Sequence, residues 1–80
     1  MSTLEQLQQI FDQIFLDPVL LKPELTASEV QEWDSLMQIN LIVSIEKHFQ
    51  IKFALGEVEL TQNVGEFVEL IDRHLKEKES

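Results

Sequence analysis

Leu4, Leu7, Ile10, Phe11, Ile14 and Phe15 recur at spacings of three and four, the period of one helix face. They predict a first helix, with Ser2 or Thr3 available as its cap and Pro18 closing it. Because a proline restricts the residue before it, Asp17 should already lie outside. From residue 17 to 34 the period lapses, both prolines of the chain occur, and only Ser28 to Glu32 could make a single turn. A connection this long inside a compact domain is uncommon and often functional. Leu20, Leu21, Leu25, Val30 and Trp33 should pin it to the bundle.

The second helix is predicted from Ser35 to Phe49. Leu41, Ile42, Ile45 and Phe49 make a stripe suited to the core, and Leu36, Ile39 and Val43 make a second stripe on an adjacent face, with Met37 near its N-terminal end. That second stripe fits either a helix packed on two sides or a partly exposed docking surface. Ile51-Lys52-Phe53 alternates like a strand but has no second strand to pair with, so it reads as an extended connector. A short helix fits Leu55 to Leu60. Asn63 followed three residues later by Glu66 is a capping signature, opening a last helix through Phe67, Val68, Leu70, Ile71 and Leu75. From Lys76 to Ser80 the tail should fray. The expected fold is all-α: a bundle of three main helices and one short one, with a long loop between helices one and two.

Composition narrows the classes. The 80 residues suit a single domain spanning 1–80, of modest stability because a chain this short buries only about 60% of its surface. Fifteen acidic against six basic residues give a net charge of −9, which disfavours nucleic acid and anionic lipid and steers toward basic surfaces. There is no Cys, which removes disulfides, thiolate metal sites and a cysteine nucleophile. No apolar run is long enough to span a membrane, and the first 21 residues contain no Lys or Arg, unlike a signal peptide. A cytoplasmic monomer is the expectation. His48 and His74 lie far from Ser35 in sequence and read as solvated surface residues, and no catalytic motif is present, so the chain does not read as an enzyme.

Asp34-Ser35-Leu36 stands at the entrance to the second helix. A serine there holds its hydroxyl at the surface, beside a helix start that favours a negative group such as a phosphodiester. The local alternative is a capping box, in which the Ser35 hydroxyl accepts the Gln38 N–H. The tripeptide alone is weak, since it recurs by chance.

Three stretches together carry more. Glu32-Trp33-Asp34-Ser35-Leu36, the run from Leu41 to Phe53 with its Ile45-Glu46-x-x-Phe49 ending, and Asn63-Val64-Gly65-Glu66-Phe67 resemble a discrete acyl carrier protein over most of the chain. The resemblance implies that Ser35 is the covalent attachment point of 4'-phosphopantetheine, donated from coenzyme A by a phosphopantetheinyl transferase, with cargo carried as a thioester. It implies further partners: an acyl- or aminoacyl-loading ligase and a downstream synthase or transferase. Asp34 matches the family residue that faces the transferase and its magnesium ion, although a plain helix cap explains it too. The partner-facing residues would be Leu36, Met37, Ile39, Val43 and Glu46. A small helical adaptor with no modification, docking through Leu36, Ile39 and Val43, is the alternative from another class.

The chain also departs from the commonest pattern of that family. Where acidic residues usually follow the serine, it has Met37, Gln38 and Asn40, and Lys47 and His48 follow Glu46. The negative charge sits at Glu24, Glu29, Glu32 and Asp34 before the helix and at Glu57, Glu59, Glu66 and Glu69 after it. This suggests a dedicated partner that reads Met37, Ile39 and Val43 with few ionic contacts, and a specialised pathway over housekeeping fatty-acid synthesis. Trp33 replaces a glycine-rich approach to the serine, and either packs the loop or meets the cargo.

Overall fold

The computed structural model describes residues 2–54 and 56–79. Three α-helices, α1 (Thr3–Ile14), α2 (Ser35–Phe49) and α3 (Val64–Glu79), are joined by two connections, each holding one 3₁₀ turn, and no strand occurs among the described residues. Each helix starts where a side chain can take orphan N–H groups. Ser2 Oγ accepts the Glu5 N–H at 3.1 Å while the Glu5 carboxylate accepts the Ser2 N–H at 3.2 Å, a complete capping box. Asn63 Oδ1 accepts the Glu66 N–H at 2.9 Å, but the Glu66 carboxylate reaches one residue further back, to the Gln62 N–H. Helix α2 ends on Gln50 in the left-handed region (φ 56°), whose N–H returns to the Glu46 carbonyl. The Glu46 carboxylate then accepts the Phe53 N–H at 2.9 Å, so one residue fixes both the helix end and the connector after it.

The core lies where all three helices meet. Leu7, Phe11, Leu41, Ile45, Val64 and Ile71 are fully buried there. Phe11 and Phe15 stack with centroids 4.8 Å apart, and Trp33 meets Phe11 edge-on at 5.1 Å.

The connection between α1 and α2 is ordered by polar ties as much as by burial. The Gln8 amide accepts the Leu21 N–H at 2.9 Å and donates to the Val19 carbonyl at 2.6 Å, doing for this loop what a neighbouring strand would do. The Glu32 carboxylate accepts both the Leu16 and Asp17 N–H groups. The first two N–H groups of α3 donate to loop carbonyls, Val64 to Leu25 and Gly65 to Pro23, both at 2.8 Å. A Cβ on Gly65 would lie 3.1 Å from the Pro23 oxygen, so glycine permits this approach.

Several expectations are corrected. Leu21 is buried and Leu25, Val30 and Trp33 are half-buried as anticipated, but Leu20 is 72% exposed because the loop is held by the Gln8 clasp on its other side. The turn in this loop is at Ala27–Glu29, slightly earlier than expected, since Thr26 and Glu29 form their own small capping box. The short helix before α3 is a 3₁₀ turn at Val58–Leu60 closed by the Thr61 hydroxyl on the Val58 carbonyl; Leu55 lies outside the described residues. Helix α3 continues through Lys76 to Glu79, with Lys78 Nζ 3.4 Å from the Phe49 carbonyl, and Ser80 lies outside the described residues.

Candidate attachment site at the start of helix α2

Asp34, not Ser35, caps α2. Asp34 has extended backbone, and its Oδ1 accepts the Met37 N–H at 2.9 Å, while its carbonyl accepts the Gln38 N–H. The serine capping box is therefore not formed. Gln38 is turned elsewhere: its side-chain oxygen accepts the Trp33 indole N–H. Ser35 becomes the first helical residue, exposed, and its hydroxyl has no hydrogen-bond partner among the described residues. The backbone N–H groups of Ser35 and Leu36 likewise have no acceptor among the described residues. Two unpaired N–H groups at the positive end of a 15-residue helix, beside a free hydroxyl, suit a phosphate ester on that oxygen.

Trp33 is half-buried. It lies edge-on to Phe11 and Phe15 and also lines an open cavity of about 520 Å³ next to Ser35. Ile39, Ile42, Val58 and Phe67 supply the apolar wall of that cavity, and Glu59 and Asn63 are among its polar lining. Of the two sequence readings of Trp33, packing of the loop is the one its ring contacts show.

The residues expected to face partners divide. Leu36 is 71%, Ile39 59% and Val43 45% exposed, so the second stripe is a surface and not a second core face. Met37 is half-buried against the core, and Glu46 is half-buried with its carboxylate on the Phe53 N–H. His48 is exposed, as expected, 3.0 Å from the Gln6 side chain. His74 is not a solvated surface residue. Its Nε2 is 2.7 Å from Glu57 Oε1, and its ring meets Phe53 edge-on at 5.3 Å. The Ala54 N–H and this histidine hold the Glu57 carboxyl below its ordinary value. Among the described residues no group of three or more His, Asp or Glu side chains is arranged to hold a metal ion, and no helix is long and apolar enough to cross a membrane.

Sequence reasoning missed the cavity, the Glu32 tie and the histidine bridge. Each joins positions 15 or more residues apart, and none has a local signature.

Ser35 thus stands at a helix start with its hydroxyl free and an open cavity beside it, on a three-helix bundle. The family described as a phosphopantetheine attachment site matches residues 25–71, more than half of the chain, and the chain belongs to that family. It is similar to a solved structure, the solution NMR structure of holo acyl carrier protein from Geobacter metallireducens, with 47% identity over 98% of this chain and 91% of that one and a TM-score of 0.87. A search of curated proteins finds no match. By fold and family the chain is an acyl carrier protein: a carrier and not an enzyme, with 4'-phosphopantetheine as its covalent cofactor.

Proposed function

We propose that Ser35 is the attachment residue and that the chain carries acyl or aminoacyl intermediates as thioesters in a specialised biosynthetic pathway of the cytoplasm. The observation that carries this reading is the unbonded, exposed Ser35 hydroxyl at a helix start already capped by Asp34. Esterifying that oxygen breaks no hydrogen bond of the fold. The Oγ–phosphorus bond forms as a phosphorus–oxygen bond of the coenzyme A pyrophosphate breaks, the nucleotide leaves, and the hydroxyl proton passes to a base of the transferase.

Once attached, the cofactor supplies the terminal thiol that this Cys-free chain lacks. Ser35 and Leu36 offer their N–H groups to the phosphate oxygens, and Asp34 keeps the helix start intact while facing the transferase. Leu36, Ile39 and Val43 meet the phosphopantetheinyl transferase, a loading ligase and a downstream synthase or transferase in turn, with Met37 supporting this face from beneath and Glu46 at its far end.

Intact mass after incubation with coenzyme A and a broad-specificity transferase tests the proposal. A gain of one phosphopantetheine that Ser35→Ala abolishes supports it. An unchanged mass, with partner binding indifferent to that substitution, would instead favour the unmodified adaptor.

A further inference from the structure

Helix α2 is an electrically neutral window in an acidic protein. Its one carboxylate, Glu46, and its one ammonium, Lys47, cancel, so the whole net charge of −9 lies outside Ser35–Phe49. Leu36, Ile39, Asn40, Val43 and Lys47 follow one another at helical spacing along the outward face, over about 16 Å of helix, and all five are exposed. Of the carboxylates that border this face, Asp34 accepts the Met37 N–H and Glu46 the Phe53 N–H, while Glu59 lies exposed on the cavity that Ile39 also lines. Lys47 has no hydrogen bond or ion pair among the described residues.

A basic partner surface would find no carboxylate among the five ridge residues, would meet Asp34 and Glu59 only at the Ser35 end, and would meet a cation at the other. An apolar groove, by contrast, would bury three aliphatic side chains, and a carboxylate at the groove's far end would pair with the free ammonium.

Given Ser35 as the attachment point, on which this rests, we infer that α2 is read by protein partners whose docking groove is apolar along its length and acidic where it meets Lys47. Affinity then comes from burial and responds weakly to salt, while the acidic remainder of the molecule keeps α2 in register by repelling the groove's acidic end from every other face.

The test uses the full chain, coenzyme A and two phosphopantetheinyl transferases chosen by the chemistry of their docking faces, one apolar and one basic. Ser35 modification is followed by intact mass from roughly 0.05 to 0.5 M NaCl. With the apolar-faced enzyme, kcat/KM should change less than about threefold across the series, and Ile39→Asp or Val43→Asp should lower it about tenfold or more. The basic-faced enzyme should be the poorer one and should improve with Lys47→Glu. All three positions are exposed, and circular dichroism checks that each variant folds. A steep loss of rate with salt together with preference for the basic-faced enzyme, or full activity of both aspartate variants, overturns the inference and leaves Ser35 as the attachment point. Failure of both enzymes to modify Ser35 overturns the inference and the carrier reading together.

Discussion

The Asp34 carboxylate accepts the Met37 N–H at 2.9 Å, and this bond relieves Ser35 of any part in closing the helix. Neighbouring residues thus divide two tasks that one serine could otherwise combine, because a hydroxyl used as a cap would be lost to the helix when esterified. The Asp34 cap of α2 would therefore survive esterification of Ser35.

Substitution separates the two tasks. Asp34→Ala removes a cap worth about 1 kcal/mol and should lower the melting temperature by about 4–8 °C in a domain of this size. Ser35→Ala should stay within about 0.5 kcal/mol of the wild type while abolishing modification. Urea titration of both variants, beside intact mass with coenzyme A and transferase, is the measurement. Equal destabilisation by the two substitutions would mean that the serine shares the cap.

Two leucines of α2 should behave in opposite ways. Leu41 is fully buried and Leu36 is 71% exposed. Leu41→Ala leaves a cavity among α1, α2 and α3 and should cost about 2–5 kcal/mol, a large part of the stability of a small domain. Leu36→Ala should change the urea midpoint hardly at all yet weaken transferase recognition, seen as a higher KM with kcat retained.

The three helices were legible because each is written locally. The stripe of α1, the Ser35 to Phe49 span and the Asn63–Glu66 cap all sit within a few residues of what they specify. The candidate site was legible for the same reason, as a short run at a helix start. What escaped was set at a distance. Leu20 looks like core in sequence, but Gln8 takes the backbone on the other side, and no pattern in residues 17–34 records that partner. The roles of Asp34 and Ser35 could not be divided from sequence, since either side chain can cap, and only the turn of Gln38 toward Trp33 and the extended backbone of Asp34 decide it. His74 looked solvated because Glu57 is 17 residues away.

The Glu57 carboxyl sets a pH dependence. The Glu57 carboxyl is held below its ordinary value of 4.5, first by the Ala54 N–H and then by His74. A carboxylate with a lowered folded-state value contributes stability that is fully present above its unfolded value and lost as pH falls through the folded one. Glu5, lowered by the Ser2 backbone and hydroxyl, acts in the same window and with the same sign. The urea midpoint of the wild type should therefore exceed that of Glu57→Gln at neutral pH, and the gap should close below the ordinary carboxylate range. A gap that persists once the Glu57 carboxyl is fully protonated, followed by its own NMR titration, would show that the two side chains differ in packing and not in charge.

Gly65 offers a test of how the loop before helix α2 is held. Replacing an ordinary helical glycine by alanine stabilises by about 1 kcal/mol through propensity. Here the new Cβ would stand 3.1 Å from the Pro23 carbonyl oxygen, which already accepts the Gly65 N–H at 2.8 Å. The oxygen can retreat only by lengthening that bond, and the adjacent Val64 to Leu25 bond is coupled to it through the same short stretch of loop. Gly65→Ala should therefore show no gain in urea midpoint, and hydrogen exchange at the Val64 amide should quicken relative to the middle of α3. A higher midpoint with unchanged exchange would mean that the loop yields without strain, and that the glycine is not what fastens residues 23–25 to the start of α3.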